Sequence, residues 1–129
     1  MILNRHKLLS NRKLLGKWGE KYSEKYLNQK GLKTLTRNFS CNTGELDIIM
    51  VDIDKSIVFV EVKTRKNENF VPIEQVITFK KKKRMSSAAQ YFLMKNNIHD
   101  RPYRFDVVTL VLGESGKPII RHFENAFVL

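Results

Sequence analysis

A chain of 129 residues and 15.2 kDa suits one domain and can bury a core without cross-links; its single cysteine, Cys41, excludes an internal disulfide and a thiol metal cluster. The 24 Lys and Arg against 13 Asp and Glu give a formal charge of +11, which favours a polyanionic partner, and 42% hydrophobic residues set the chain apart from disordered basic tails. No apolar run is long enough to cross a bilayer, and Asn4 to Lys7 break the apolar residues near the start, so no membrane contact and no signal peptide are predicted and the expected location is cytoplasmic.

Residues 1–10 read as a basic N-terminal tail and 11–129 as the folded domain. From about Asn11 to Lys30, Leu14, Leu15, Trp18, Tyr22 and Tyr26 recur at helical steps, and Gly31 stands where a helix ends. That aromatic stripe is expected in the core, not stacked on bases, and Glu20 falls on the edge of the buried arc, where it can reach inward. Residues 32–41, 45–51 and 57–63 read as three strands of an antiparallel meander. Asp52 and Asp54, in the second connection, are expected to satisfy turn amides. Pro72 opens a second helix to about residue 95, with Ile73, Val76, Ile77, Ala88, Ala89 and Phe92 turned inward. A strand over 104–112, a turn at 113–117 and a short strand over 118–123 complete the order αβββαββ: an α/β domain with a mixed central sheet flanked by helices.

The second and third strands interrupt apolar patterns with charge where burial is expensive. If they pair as a hairpin with Asp47 and Glu61 on one face, two carboxylates and the Lys63 ammonium converge at the end of the sheet. Mg²⁺ or Mn²⁺ takes hard oxygen ligands, which Asp47, Glu61 and the backbone carbonyl of Val62 could supply, with Glu20 as a further ligand or a hold on a bound water. Lys63 would contact a scissile phosphate or the attacking water. Arg65 is best placed to touch a phosphate nearby. Lys80 shares a helix side with Lys83 or Arg84, as phosphate contacts or as a solvated face. Glu45 is assigned to solvent or a salt bridge. Asp106 is expected either to hold Lys63 or the outer shell of the metal, or to form a structural ion pair. His6, His99 and His122 are scattered and suggest no Ser-His or Cys-His machinery.

Asp47 followed by Glu61-Val62-Lys63, with Glu20 on a preceding helix, resembles the PD-(D/E)xK nuclease superfamily, close to Holliday-junction resolvases. Gly19-Glu20, Arg37-Asn38, Gly44-Glu45-Leu46-Asp47, Phe59 to Arg65, Arg104-Phe105-Asp106 and Asn125-Ala126-Phe127 resemble more closely the YraN family of bacterial nuclease-like proteins, over nearly the whole chain after about Asn11. The resemblance implies a restriction-endonuclease-like fold, a divalent metal, a nucleic-acid substrate, most simply structured DNA, and 5′-phosphate products. Twofold junction-cutting relatives imply a homodimer by analogy. Leu46 stands where the superfamily's name places a proline, and Ser23 where alanine is expected. The alternatives are a catalytically inactive nucleic-acid-binding module of a recombination or repair assembly, and an RNA or protein-interaction role.

Overall fold

The structure, a computed structural model, describes residues 5–67, 72–113 and 117–128. The expected middle of the last turn, at 114–116, and the side chain of Ile73 lie outside the described residues.

Among the described residues nine elements follow in chain order: α1 (Arg5–Ser10), α2 (Arg12–Gln29), β1 (Lys33–Cys41), β2 (Gly44–Val51), β3 (Ile57–Arg65), α3 (Ile73–Val76), α4 (Phe79–Lys95), β4 (Tyr103–Val111) and β5 (Ile119–Phe127). The strands form one mixed sheet in the order β1-β2-β3-β4-β5. The first three are an antiparallel meander, β4 runs parallel to β3 after the helical crossover, and β5 returns antiparallel. This is the expected mixed α/β domain, consistent with a restriction-endonuclease-like arrangement. Among the described residues no helix is long and apolar enough to cross a membrane.

Three differences from the sequence reading have local causes. Residues 5–10 form α1, which buries Leu8 against Leu15, Trp18 and Leu110. The second helix is two helices, because Thr78 leaves the helical conformation and caps α4 by accepting a hydrogen bond from the Lys81 amide at 3.1 Å. The last strand continues to Phe127, whose ring stacks on Phe105 at 4.9 Å.

α2 begins at Asn11, whose side chain accepts from the Lys13 and Leu14 amides, both at 3.1 Å, and ends before Gly31, in a left-handed conformation (φ 104°). Its buried face is Leu15, Trp18, Gly19, Ser23 and Leu27, while Leu14 and Tyr22 are exposed. The expected aromatic stripe is therefore only partly core. Residues four apart drift by about 40° per step on a helix of 3.6 residues per turn, so Leu14, Trp18, Tyr22 and Tyr26 cannot share one face. Ser23 is fully buried and its hydroxyl has no hydrogen-bond partner, so it occupies a site suited to alanine.

The sheet separates two apolar layers. Leu27 packs with Ile48, Met50, Val58, Val60 and Val108 on the α2 face; Met85, Ala88, Ala89 and Phe92 of α4 pack on Leu46, Ile49, Ile57, Phe59 and Val107 on the other. Gly44 lets α4 approach β2, since a Cβ there would collide with the Arg84 carbonyl.

Candidate functional site

The site lies where β2 and β3 part. Their pairing runs from Val51–Ile57 to Ile48–Val60 and stops. Leu46 packs in the α4 layer and Ile48 in the α2 layer, although residues two apart share a face in a regular strand. The strand therefore changes direction at Asp47. Across from it, between the pairs Arg37–Ile48 and Phe39–Leu46, Asn38 takes the left-handed conformation (φ 52°). In the fork, the Val62 amide donates to Asp47 Oδ2 at 2.8 Å in place of a strand carbonyl.

Glu61, beside Val62, is only 3% exposed, and its Oε1 is buried with no hydrogen-bond partner. Lys81 Nζ lies 3.5 Å and Lys63 Nζ 3.9 Å from its Oε2. Burial, and then the charge of Asp47, push the Glu61 carboxyl up to about 8, and contact between the two carboxyl groups adds to the rise, against Lys81 and Lys63. Two ionised carboxylates are both acceptors, so they cannot satisfy each other without a proton or a cation between them. Glu20 approaches from α2; burial and the Asp47 charge raise it to about 7, opposed by Lys17.

A cavity of about 430 Å³ collects these groups between Arg12, Gly16 and Glu20 of α2, Asp47 of β2, and the chain from Glu61 to Lys66. Gly19 brings α2 close enough for this, because a Cβ there would strike the Thr64 hydroxyl. One turn earlier a Cβ on Gly16 would meet nothing within 4 Å, so that wall stays open.

Glu20, Asp47, Glu61, Val62, Lys63 and Arg65 thus border one cavity, whereas Lys80, Lys83 and Arg84 do not. Lys83 lies over the Phe79 ring at 5.6 Å, and Lys82 over that of Phe127 at 5.5 Å. The lysine of this run that reaches the site is Lys81, which also lies 3.6 Å from exposed Glu45, so Glu45 takes its salt-bridge role. Helical spacing carried that signal: Lys81 stands four and seven residues before buried Met85 and Ala88, on the sheet-facing side of α4. Asp54 accepts from the Ser56 amide at 3.0 Å, as expected of a turn aspartate.

Asp106 takes the second of its expected roles. Fully buried, it accepts from Arg104 Nε (3.0 Å), His122 Nε2 (2.8 Å) and the Asn125 amide (2.9 Å). Lys30 Nζ, which can only donate, lies 2.7 Å from His122 Nδ1, so the neutral ring carries its proton on Nε2. Arg104 also holds Asp52 Oδ2 at 2.9 Å, tying the β2–β3 turn to β4.

Among the described residues no three His, Cys, Asp or Glu side chains make a ready-made metal group; the donors are a carboxylate pair with Glu20 alongside. The profile of the uncharacterised protein family UPF0102 matches residues 19–110. The chain belongs to the UPF0102 family. That is the YraN group its motifs resemble. It is similar to UPF0102 proteins of Clostridioides difficile (43% identical, covering 91% of this chain and 99% of the relative), Geotalea uraniireducens (42%, 93% and 94%) and Pelobacter propionicus (41%, 88% and 82%). The match begins at Gly19 and takes in Glu20, Asp47, Glu61, Lys63 and Lys81.

Proposed function

We propose that this chain is a Mg²⁺- or Mn²⁺-dependent endonuclease of the PD-(D/E)xK superfamily acting on nucleic acid, with structured DNA as the first substrate to try. The observation that carries the reading is the buried Glu61 Oε1, left without a partner against the Asp47 carboxylate in a cavity that also holds Lys63. Buried polar atoms are almost always satisfied, and one that is not, inside a cavity lined by perturbed acids, is the signature of a missing ligand. Paired hard oxygens fit a divalent cation.

Asp47, Glu61 and the Val62 carbonyl would hold the ion, which when bound supplies charge stabilisation to the phosphodiester. Lys63, less buried than Glu61, is free to swing from the carboxylate to a phosphate oxygen and to hold the attacking water in line. Glu20 accepts a hydrogen bond from that water. The water gives up a proton to solvent and its oxygen bonds to phosphorus as the P–O3′ bond breaks, and the released 3′-oxygen takes a proton from solvent, leaving a 5′-phosphate and a 3′-hydroxyl.

The test is cleavage of labelled duplex, flap, junction and RNA substrates with Mg²⁺ or Mn²⁺. Lys63→Ala should reduce turnover by about a thousandfold or more while binding changes little; turnover by that folded variant at the wild-type rate removes the role of Lys63. One observation favours a second reading. Lys81 and Lys63 already place two ammonium groups at Glu61, as suits a carboxylate kept for structure in a non-catalytic binding module. On that reading nucleic acid binds with or without metal and no substrate is cut.

A further inference from the structure

A second cavity, of about 190 Å³, adjoins the first and shares Glu20 and Asp47 with it. Its other walls include Lys17 and Lys21 of α2 and Arg37 and Asn38 of β1. The two cavities therefore lie on either side of one acidic ridge. Beyond the ridge in one direction stand Arg12, Lys63, Arg65 and Lys66; in the other stand Lys17, Lys21 and Arg37. Cations flank the Glu20–Asp47 pair on both sides, and on the second side a further acid, Glu24, lines the cavity and is paired with Arg37.

The geometry points to a track for one phosphodiester strand along α2, crossing the Glu20–Asp47 ridge, with the second cavity as the seat of a phosphate next to the reacting one. The nature of the ligand rests on the nuclease reading above. The position of the track rests on the residues themselves. Lys17 and Lys21 are four residues apart, hence on one helix face and about 6 Å apart along the axis, and both are exposed. Arg37 is braced rather than loose: its Nε donates to Glu24 Oε1 at 2.8 Å and a terminal nitrogen lies 2.6 Å from Oε2, yet 61% of its side chain remains open to solvent. Asn38 of β1, in the left-handed conformation, lines this second cavity beside Arg37. The basic run of α4 offers no such row. Lys81 is engaged with Glu45 and Glu61, Lys82 and Lys83 lie over aromatic rings, and none of the run lines either cavity.

The test is fluorescence anisotropy of labelled single-stranded DNA and RNA oligonucleotides over a salt series, in EDTA so that nothing is cut. Lys17→Gln/Lys21→Gln should weaken binding about tenfold or more and reduce the slope of log affinity against log salt by about 1.4, or 0.7 per lost single-strand phosphate contact. Lys80→Gln/Lys83→Gln removes the same charge from α4 and should change affinity less than threefold. Gly16→Phe, which adds bulk to the cavity wall without changing charge, should weaken binding with the salt slope preserved; circular dichroism checks that each variant is folded. Equal or greater loss from the α4 pair, or no binding by the wild-type protein, overturns the track. Binding that follows α2 while Mg²⁺ and Mn²⁺ support no cleavage upholds the track and defeats the catalytic reading instead.

Discussion

Two buried carboxylates on this sheet meet opposite fates. Asp106 on β4 is fully buried, yet three partners, Arg104, His122 and the Asn125 amide, donate to it, and despite burial these bonds hold its pKa below the ordinary aspartate value. Glu61 on β3 is nearly as buried, has one oxygen without any partner and faces another acid, and its pKa rises to about 8. The first arrangement is finished by the fold alone. The second is not, and the fold carries that cost where β2 and β3 part and the sheet opens into a cavity. Burial alone therefore does not distinguish these two acids; whether their oxygens are satisfied does.

The largest effect should come from the satisfied acid. Asp106→Ala strands Arg104 and His122 and should cost about 3–5 kcal/mol in denaturant unfolding; a loss below about 1 kcal/mol would erase the contrast. Next, Glu61→Gln should stabilise the protein at pH 8 by an amount on the order of a few kcal/mol, because it removes a buried charge. Its sign depends on pH. A carboxyl with a raised native pKa stabilises fully below the unfolded value near 4.5, and that contribution is lost as pH rises to about 8, so the gain from Glu61→Gln should shrink towards zero near pH 4. Asp106 slopes the other way: its depressed native pKa stabilises above the ordinary aspartate value, and this is lost as pH falls through the native pKa. Thermal melts of both variants from about pH 2 to 9 separate the two slopes.

The smallest effects sharpen the same contrast in the backbone. Gly19→Ala must push against Thr64 in a closed contact and should cost about 1–3 kcal/mol, whereas Gly16→Ala points into the open cavity and should gain about 0.5–1 kcal/mol from helix propensity. Equal effects at both positions would mean that the cavity wall is not open in solution.

Much of this was legible in the chain. Alternating patterns and turn residues locate the five described strands, and the spacing of Asp47, Glu61 and Lys63 across a hairpin places them at the same end of β2 and β3. What the pattern hides is relations between distant segments. The triad of Arg104, His122 and Asn125 around Asp106 forms only when β5 returns beside β4. The choice of Lys81 over Lys80, Lys83 and Arg84 depends on which face of α4 meets the sheet, and the Thr78 cap sets the start of that helix. The change of direction at Asp47 is likewise invisible to a rule of strict alternation, although it is what frees that side chain to meet the Val62 amide.

That amide offers a spectroscopic handle. Most strand N–H groups report on a neighbouring carbonyl, but the Val62 proton rests on an ionisable oxygen of Asp47. Its nitrogen and proton resonances should therefore move whenever that oxygen gains a proton, a cation or a neighbouring anion, so a single cross-peak can follow occupancy of the cavity in titrations where no product is formed.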